Sequence, residues 1–416
     1  MPSNDSTKIH LGIIYYLLAA MFLLYEMSVQ SSPSVMAVPM MQSLQLNSVI
    51  FGSAMGAYFY SYALMQIPAG LLFDRFSSKS LLIFATLICA IGSLLFSHGS
   101  AATSLALARF LTGLGSAFAF IGVLVIADQW FDAKYFPLLV GIAQLLAAVG
   151  AMSGEMPLAY WVNHFGWAKT SLILAAIGAV LMLAILLIMQ SAKPKQSQQA
   201  ITLKQSLTHI FKNPQTFWIA LYAFSAWAPI TLFAELWGVP YLMRRYHVSN
   251  VDAALAVSMI WIALAISSPW LGWYSERIQR RRELLDLCAI VGLISAVILL
   301  FYNKLSFSWV FVILLGIGFA AAGQILTFAL VKDNNQEHDL ATGIGFNNMA
   351  VVIGGAIFQP AVGYLLHHHA SIYAHQQTVK YTAMDYRFAL SVMILCYIIG
   401  WTSSHFLIKD KLNVSN

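Results

Sequence analysis

Charged residues are scarce in this chain, and their scarcity limits what the protein can be. Only 9% of its 416 residues are charged and 60% are hydrophobic, whereas soluble domains carry about 25% charged residues. So few charges cannot cover a surface that faces water, but they suit a surface that faces lipid. The composition therefore excludes an ordinary soluble domain and predicts an all-α integral membrane protein.

Residues that build metal, disulfide or nucleotide sites are also few. The three cysteines, Cys89, Cys288 and Cys396, form no CxxC pair, which excludes a disulfide framework or a zinc site. His367–His369 have no flanking Cys or acid, and we expect them in a solvated turn. Gly323 is not followed by the GK[ST] of a nucleotide loop. No metal, cofactor or ATP coupling is predicted.

Histidine is absent from the interiors of the long apolar runs. All 11 histidines lie in predicted loops, tails or span edges, so a proton path through the bilayer would use Glu residues. The net charge of +6 comes from short segments between the runs, without the aromatic interleaving of a nucleic-acid surface. No intramembrane nucleophile and base at helical spacing is found, so an enzyme is not predicted.

Long apolar runs are abundant, and each is long enough to span a bilayer, which takes about 20 residues. The predicted spans are 11–38, 49–73, 80–97, 103–127, 136–162, 168–190, 216–243, 251–274, 284–302, 307–331, 341–366 and 386–408. The polar stretch 191–215 separates a six-span half (1–190) from a second six-span half (216–416). Twelve transmembrane helices in two halves are therefore predicted.

Lysine and arginine are unevenly distributed between the two sides that these spans define. Most of them lie in the linker 191–215, near the termini and in the loops on the same side. Because cytoplasmic loops carry the excess of basic residues, both termini are predicted to be cytoplasmic. The linker is expected to be cytoplasmic and solvated, with a short amphipathic helix.

A loop motif occurs twice. Gly70-Leu-Leu-Phe-Asp74-Arg75 leads to Lys79, and Gly272-Trp-Tyr-Ser-Glu276-Arg277 leads to Arg281, with an offset of 202 residues from Asp74 to Glu276. A short inside loop explains the basic residues but not a glycine four positions before an acid in both copies. The repeat indicates two related halves.

These motifs resemble the loop signature of the major facilitator superfamily of secondary transporters, G-x-x-x-D-R-x-G-R-R. Arg109-Phe-Leu-Thr-Gly113-Leu-Gly115 resembles the family's second signature, R-x-x-x-G-x-G. The resemblance covers essentially the whole chain, and it departs from the pattern at Ser77 and Gln279, where glycine is usual. It implies that the two halves are related by a pseudo-twofold axis.

The resemblance also implies a conformational latch on the cytoplasmic side. Its residues would be Gly70, Asp74, Arg75, Lys79, Gly272, Glu276, Arg277 and Arg281. Physically, the glycines would let two helices approach closely, the acids would face a helix N-terminus, and the basic residues would anchor at the phosphate interface.

Four charges lie well inside predicted spans: Glu26, Arg109, Glu155 and Glu235. A charge at mid-bilayer costs about 2.5 kcal/mol or more, so it usually faces a cavity or a partner. The resemblance places their spans around a central cavity. A purely structural ion pair with Arg109 is the alternative, but one arginine cannot neutralise three carboxylates. We expect Glu26 and Arg109 to form a charge pair.

Polar side chains at helical spacing complete the predicted substrate or proton site. One face is Glu26 with Gln30, and the next is Tyr58, Tyr62 and Gln66. A third face is Trp227, Thr231 and Glu235, and Gln324 and Asn347 add amides in spans ten and eleven.

The sequence therefore predicts a secondary transporter of a small polar organic solute that works by alternating access. The solute would be an amino acid, a short peptide or an organic acid, taken up with protons by a monomer in a bacterial inner membrane. The acid of Gly154-Glu155-Met-Pro157 stands where drug exporters usually have proline, which favours uptake. A proton-antiport exporter and a transport-inactive receptor remain the alternatives.

Overall fold

The chain is helical throughout its described part. A computed structural model describes residues 4–191, 203–336, 340–373 and 381–410, without the side chains of residues 4–8, 74, 133, 137, 203–207, 340 and 341. These ranges contain α-helices, two π-helices and one short 3₁₀ turn, and no strand. The prediction of an all-α integral membrane fold is confirmed.

The N-terminal half contains eight α-helices: α1 (Asn4–Ser31), α2 (Pro33–Ser43), α3 (Ser48–Arg75), α4 (Ser78–Ser97), α5 (Ala102–Ser116), α6 (Ala119–Trp130), α7 (Phe136–Ser153) and α8 (Met156–Ile188). A 3₁₀ turn, Ala133–Tyr135, precedes α7. Asn47 and Ser77 cap α3 and α4 by accepting hydrogen bonds from the backbone N–H groups of Ile50 and Ser80.

The linker and the C-terminal half contain α9 (Leu203–Lys212), α10 (Pro214–Pro229), a π-helix (Ile230–Trp237), α11 (Gly238–Tyr246), α12 (Asn250–Ile278), α13 (Arg281–Phe301), α14 (Phe307–Ala322), α15 (Gln324–Asn334), α16 (Leu340–Tyr373), α17 (Ala383–Leu390), α18 (Val392–Thr402) and a second π-helix (Ser403–Leu407). The helix expected in the linker is α9, and residues 192–202 lie outside the described part.

Ten helical segments within the described ranges are long and apolar enough to cross a membrane. One of them, Leu138–Ile188, has 51 residues and contains Gly166, whose φ of 80° interrupts the helix. Helix α3 is not among the ten, although it has 28 residues. The total of twelve spans and the division at residues 191–215 stay predictions.

Several predicted spans are broken helices, and the breaks have local causes. Pro33 begins α2 because it has no N–H to continue the ladder of α1. Gly154 and Glu155 separate α7 from α8, and Gly323 separates α14 from α15. Broken helices in transporters occur where the backbone borders a cavity, so these breaks direct attention to the centre of the molecule.

The two halves contact each other near the predicted outer ends of their helices. The Ser48 hydroxyl donates to the Gly363 carbonyl at 2.7 Å, and the Asn250 amide donates to the Val35 carbonyl at 3.0 Å. A Cβ built on Gly52 would lie 2.5 Å from the Gln359 carbonyl oxygen. Helix α3 therefore packs directly against α16, and α2 contacts α12.

One local expectation needs correction, and one loop turn departs from the usual residue type. His367–His369 lie inside α16 and not in a turn, because that helix continues to Tyr373. Gln279, at a usual glycine position of the loop motif, adopts a left-handed φ of 54°, so the second copy keeps the sharp turn despite its side chain.

Candidate functional site

A cavity lies between the two halves and holds about 730 Å³ of space not occupied by atoms, part of it open to solvent. The side chains that line it come from α1, α3, α6 and α7 on one side and from α10, α12, α15 and α16 on the other. They are Leu23, Glu26, Met27, Gln30, Tyr62, Phe120, Gln144, Ala147, Ala148, Trp227, Trp261, Leu264, Gln324, Phe328, Asn348, Val351 and Val352.

The lining combines neutral amides with aromatic rings. The amides are Gln30, Gln144, Gln324 and Asn348, and the rings of Trp227 and Trp261 meet edge to face with centroids 6.4 Å apart. Among the lining side chains of the described chain, Glu26 has the only carboxyl group, and none is Lys, Arg or His. The cavity can therefore exchange hydrogen bonds with a polar solute but supplies no positive charge.

A chain of hydrogen bonds joins the cavity carboxyl to the opposite half. The Tyr58 hydroxyl lies 3.1 Å from Glu26 Oε2 and 2.9 Å from Gln30 Oε1. Gln30 Nε2 donates to Glu235 Oε1 at 2.8 Å. All four side chains are almost fully buried. Because Glu235 belongs to the C-terminal half, this chain connects the halves through polar groups.

Arg109 does not form the expected charge pair with Glu26. Its guanidinium donates from one terminal nitrogen to the Val29 carbonyl at 3.0 Å and from the other to the Gln30 carbonyl at 3.4 Å. It also lies 4.5 Å from the centre of the Tyr58 ring. No carboxylate of the described chain lies within ion-pair distance of it.

The break between α1 and α2 explains why Arg109 binds backbone. In a continuous helix the Val29 carbonyl would accept from the N–H of residue 33, but Pro33 has none. The Ser32 hydroxyl donates to that carbonyl at 2.9 Å, and Arg109 is its second donor. The break therefore leaves a carbonyl in reach of the guanidinium, which donates to it and not to Glu26.

Glu155 lies in a second polar site, outside the cavity lining. Its Oε2 lies 2.8 Å from the Ser34 hydroxyl oxygen, and the same hydroxyl lies 2.9 Å from the Ser31 carbonyl oxygen. The Ser31 hydroxyl donates to the Ala151 carbonyl at 3.0 Å. The break in span five is therefore fixed to the break in span one.

The π-helix disrupts the stripe of Trp227, Thr231 and Glu235. The π-helix begins after Trp227, and its turns are wider than those of the α-helix for which the spacing was derived. Trp227 lines the cavity, whereas Thr231 donates to the Ala228 carbonyl and Glu235 faces Gln30.

Of the predicted site residues, the structure brings Glu26, Gln30, Tyr62, Trp227 and Gln324 to the cavity lining. Tyr58, Gln66, Arg109, Glu155, Thr231, Glu235 and Asn347 are buried behind it or beside it. Asn347 donates to the Thr327 hydroxyl at 2.8 Å, whereas its neighbour Asn348 faces the cavity and donates to Gln66 Oε1 at 2.6 Å.

Sequence reasoning missed Gln144, Asn348 and Trp261. Gln144 could have been found, because it is an amide inside a long apolar run. Asn348 follows another asparagine, and the sequence alone does not show which of the two faces the cavity. Trp261 gives no signal beyond a large apolar side chain in an apolar helix.

The two copies of the loop motif differ in their surroundings. In the second copy, Arg281 is buried and forms ion pairs with Glu276 and with Asp333 at the end of α15. Arg277 lies 5.6 Å from the centre of the Trp273 ring. In the first copy, Arg75 is exposed and Lys79 is half-exposed, and the Asp74 side chain lies outside the described part.

The motif glycines do not mediate close packing in this conformation. A Cβ built on Gly70 or on Gly272 would meet no atom within 4 Å. The expectation that they bring two helices together is therefore wrong for this state, in which the predicted cytoplasmic ends of α3 and α12 are open at these positions.

These features define a class: a polytopic helical carrier with a polar cavity between two halves. A sequence profile described as the Major Facilitator Superfamily matches residues 17–359. The chain belongs to the major facilitator superfamily of secondary transporters, and the recognition made from its motifs is confirmed.

Two relatives align over most of their lengths. The probable galactarate/D-glucarate transporter GudP of Escherichia coli is 23% identical over 399 residues, which cover 85% of this chain and 87% of the relative. The lysosomal dipeptide transporter MFSD1 of Danio rerio is 22% identical over 392 residues, which cover 89% and 83%.

Solved structures share the fold. A bacterial homologue of the human lysosomal transporter Spinster, described as inward-facing and unoccupied, superposes with a TM-score of 0.77 at 15% identity and covers 97% of both chains. The nucleoside transporter NupG superposes with a TM-score of 0.75 at 14% identity and covers 98% of this chain and 100% of that chain.

Proposed function

We propose that this protein takes up a small zwitterionic solute, an amino acid or a short peptide, together with protons. The observation that carries the proposal is the cavity between the halves, which has amides, aromatic rings and one carboxyl group, and no cationic side chain among its described lining. A zwitterion brings no net charge into such a cavity, whereas an anion brings a net negative charge that no described lining side chain can balance.

The lining offers partners for the ammonium, the peptide group and the apolar side chains of such a solute. Glu26 Oε1 is buried without a hydrogen-bond partner, and a carboxyl oxygen of this kind can accept from an ammonium or amide N–H. Gln144, Gln324 and Asn348 can pair with a peptide group, and the indoles of Trp227 and Trp261 can cover apolar side chains. The dipeptide transporter among the relatives supports this solute class.

Organic acids are the second candidate, because the galactarate/D-glucarate transporter is a relative of similar coverage. The hydroxyl groups of a sugar acid would suit the amides of the lining. Its two carboxylates would need a cation, and Arg109 would have to leave the carbonyls of Val29 and Gln30 to provide one. Because of this requirement, we rank a dianion second to a zwitterion as the substrate.

Transport assays in proteoliposomes test the proposal. Labelled amino acids and dipeptides are compared with galactarate and with N-acetylated dipeptides, which keep the peptide group but lose the ammonium. We expect uptake of the zwitterions, increased by an acidic exterior, and little uptake of either anion. If galactarate alone is transported, the proposed substrate changes from a zwitterion to an organic acid. An uptake rate that does not change with the pH gradient would contradict proton coupling.

We further propose that the two six-helix halves, 1–190 and 216–416, rock about this cavity in a bacterial inner membrane, with both termini in the cytoplasm. The contacts of Ser48 with Gly363 and of Asn250 with Val35 close the predicted outer end. The open surroundings of Gly70 and Gly272 support an inward-facing state. Cysteine labelling at the termini from either side of the membrane tests the orientation.

A further inference from the structure

In the described chain, two of the three membrane-embedded glutamates lie beside a hydroxyl group that has one hydrogen but two acceptors at hydrogen-bond distance. A tyrosine or serine hydroxyl has one hydrogen to donate. The Tyr58 hydroxyl has two acceptors at hydrogen-bond distance, Glu26 Oε2 and Gln30 Oε1. The Ser34 hydroxyl also has two, Glu155 Oε2 and the Ser31 carbonyl oxygen.

For the Glu26 chain, three contacts require three hydrogens. With Glu235 ionised, Gln30 Nε2 supplies the hydrogen of their contact, and the amide oxygen then faces Tyr58. Tyr58 then donates to Gln30, because an amide oxygen has no hydrogen to give. The remaining contact, between Tyr58 and Glu26, is a hydrogen bond only if the carboxyl group of Glu26 carries a proton.

The argument for Glu155 is simpler. The Ser31 carbonyl oxygen can only accept, so Ser34 donates to it. The 2.8 Å contact between Ser34 and Glu155 then needs a hydrogen on the carboxyl group. Without it, two oxygen acceptors would face each other in a fully buried site, where an unfilled contact costs most.

We infer that Glu26 and Glu155 each hold a proton in this conformation, whereas Glu235 is ionised and balances Arg109. This assignment rests on the proposed proton coupling for its role in transport, and it names the carboxyl groups that carry the protons. It also removes the imbalance of three acids and one base, because two neutral carboxyl groups leave one negative and one positive charge.

The charged and titratable neighbours agree with this assignment. Glu26 is faced by Tyr58, by Tyr62 across the cavity lining and, through Gln30, by Glu235. Arg109 lies over the Tyr58 ring. Around Glu155, helix α2 has no titratable residue, the charged residues of α12 lie at its two ends, and Glu235 of the π-helix is an electrostatic neighbour.

The two protons differ in access. Glu26 lines the cavity, so its proton can exchange with solvent there. Glu155 does not line it and is fully buried between α2 and the start of α8. Glu26 is therefore the proton site that cycles in this state, and the proton of Glu155 stays bound until the outer ends of the halves separate.

Infrared spectroscopy of the purified protein in lipid at neutral pH tests the inference, because the C=O stretch of a protonated carboxyl group is separate from that of a carboxylate. We expect Glu26→Gln and Glu155→Gln each to remove part of this band, and Glu235→Gln to remove none. Glu283→Gln, at an exposed carboxylate paired with Arg280, is the matched control without effect. In D₂O the Glu26 component should shift before the Glu155 component.

Two further variants keep the test valid if a Gln variant does not fold. Tyr58→Phe and Ser34→Ala keep the carboxyl groups but remove their partners, and each should shift one component of the band without removing it. Loss of the band in Glu235→Gln, or no change in Glu26→Gln or Glu155→Gln, would overturn the assignment. The measurement needs no transport, so a failure of proton-coupled uptake with the bands intact would reject only the proposed function.

Discussion

Arg109 lies inside a membrane span, where a charged residue usually forms an ion pair. Its guanidinium instead donates hydrogen bonds to two backbone carbonyls and lies over the ring of Tyr58. The carbonyls are accessible because Pro33 interrupts the helix. Pro33 removes a backbone donor, and Arg109 supplies a donor in its place. The guanidinium therefore stabilises the backbone at the break in span one and does not line the cavity.

A double-mutant cycle tests this role. Arg109→Met should lower the free energy of unfolding by about 1–3 kcal/mol, because buried carbonyls lose a charged donor. Pro33→Ala restores an N–H that can reach the Val29 carbonyl, so the loss should shrink by about 1 kcal/mol in that background. Thermal unfolding in detergent measures both. An equal loss in both backgrounds, or a larger loss only when solute is present, would contradict the backbone role.

Ser32→Ala is the matched control for that cycle. The Ser32 hydroxyl is the other donor to the Val29 carbonyl. Removing it together with Arg109 should give a loss at least as large as the sum of the two single losses, since the carbonyl then has no donor.

Glu26→Gln tests coupling at the cavity carboxyl. Glutamine cannot release a proton but can still accept and donate hydrogen bonds, so the cavity keeps its shape. We expect accumulation driven by a pH gradient to be lost while solute exchange between equal pools continues. Accumulation that still follows the pH gradient would move the coupling role to Glu155 or Glu235. The corresponding Gln variants of those residues, measured in the same assay, would identify it.

At the scale of helices, the long apolar runs predicted where most helices lie, because the length of a bilayer span limits the choices. The breaks were harder to predict. Pro33 is a visible signal, but Gly323 resembles many other glycines in apolar runs. The π-helix at Ile230–Trp237 depends on packing against α2 and α16, which the sequence of one segment does not contain.

The site was predicted through its charges and only partly through its neutral residues. Intramembrane Glu and Arg are unfavourable enough in lipid to stand out, and Glu26 does line the cavity. Which side of a helix faces the cavity depends on the rotation of that helix. Asn347 was predicted for the site, but its neighbour Asn348 faces the cavity. A π-turn changes that rotation, and of Trp227, Thr231 and Glu235 the cavity lining contains Trp227.

Glycines on α3 allow a matched test of the closed outer end. An added Cβ at Gly52 would lie 2.5 Å from the Gln359 carbonyl oxygen, whereas one at Gly70 would meet nothing within 4 Å. Gly52→Ala should destabilise this conformation by about 1–3 kcal/mol, and Gly70→Ala should not. Labelling of Val35→Cys, buried beside Asn250, by an external thiol reagent should therefore rise in Gly52→Ala alone. Equal labelling in both variants would contradict the closure.

The three native cysteines simplify that experiment. Cys89, Cys288 and Cys396 are all buried, so the reporter cysteine can be introduced without replacing them. The unmodified chain measures the background of the reagent.

At the scale of the whole molecule, the halves contact each other at the predicted outer ends of their helices and along α3 and α16 as far as Gln66 and Asn348. The loop residues assigned to the latch are open or paired within their own half, as Arg281 is with Glu276 and Asp333. A latch that joins the cytoplasmic ends would therefore act in the opposite conformation.

Asp74→Asn and Arg75→Ala test this latch. Both should slow the conversion between the two conformations and so reduce solute exchange several-fold, while solute binding measured by thermal shift stays unchanged. Lys134→Ala removes an exposed lysine that pairs with Asp132 at 3.6 Å, and it should leave exchange unaffected. Lost binding with normal conversion would give these residues another role.

The single arginine among three membrane-embedded acids has an electrical consequence. With protons on Glu26 and Glu155, the four groups carry no net charge, and the release of the Glu26 proton leaves one negative charge in the centre of the carrier. A transmembrane potential acts on such a charge with about 2.3 kcal/mol per 100 mV across the full bilayer. The rate of exchange between loaded states should therefore not change with an imposed potassium diffusion potential. Net uptake needs the return of the empty carrier, so its rate should increase when the interior is negative. An equal response of both rates would show that the charge moves elsewhere in the cycle.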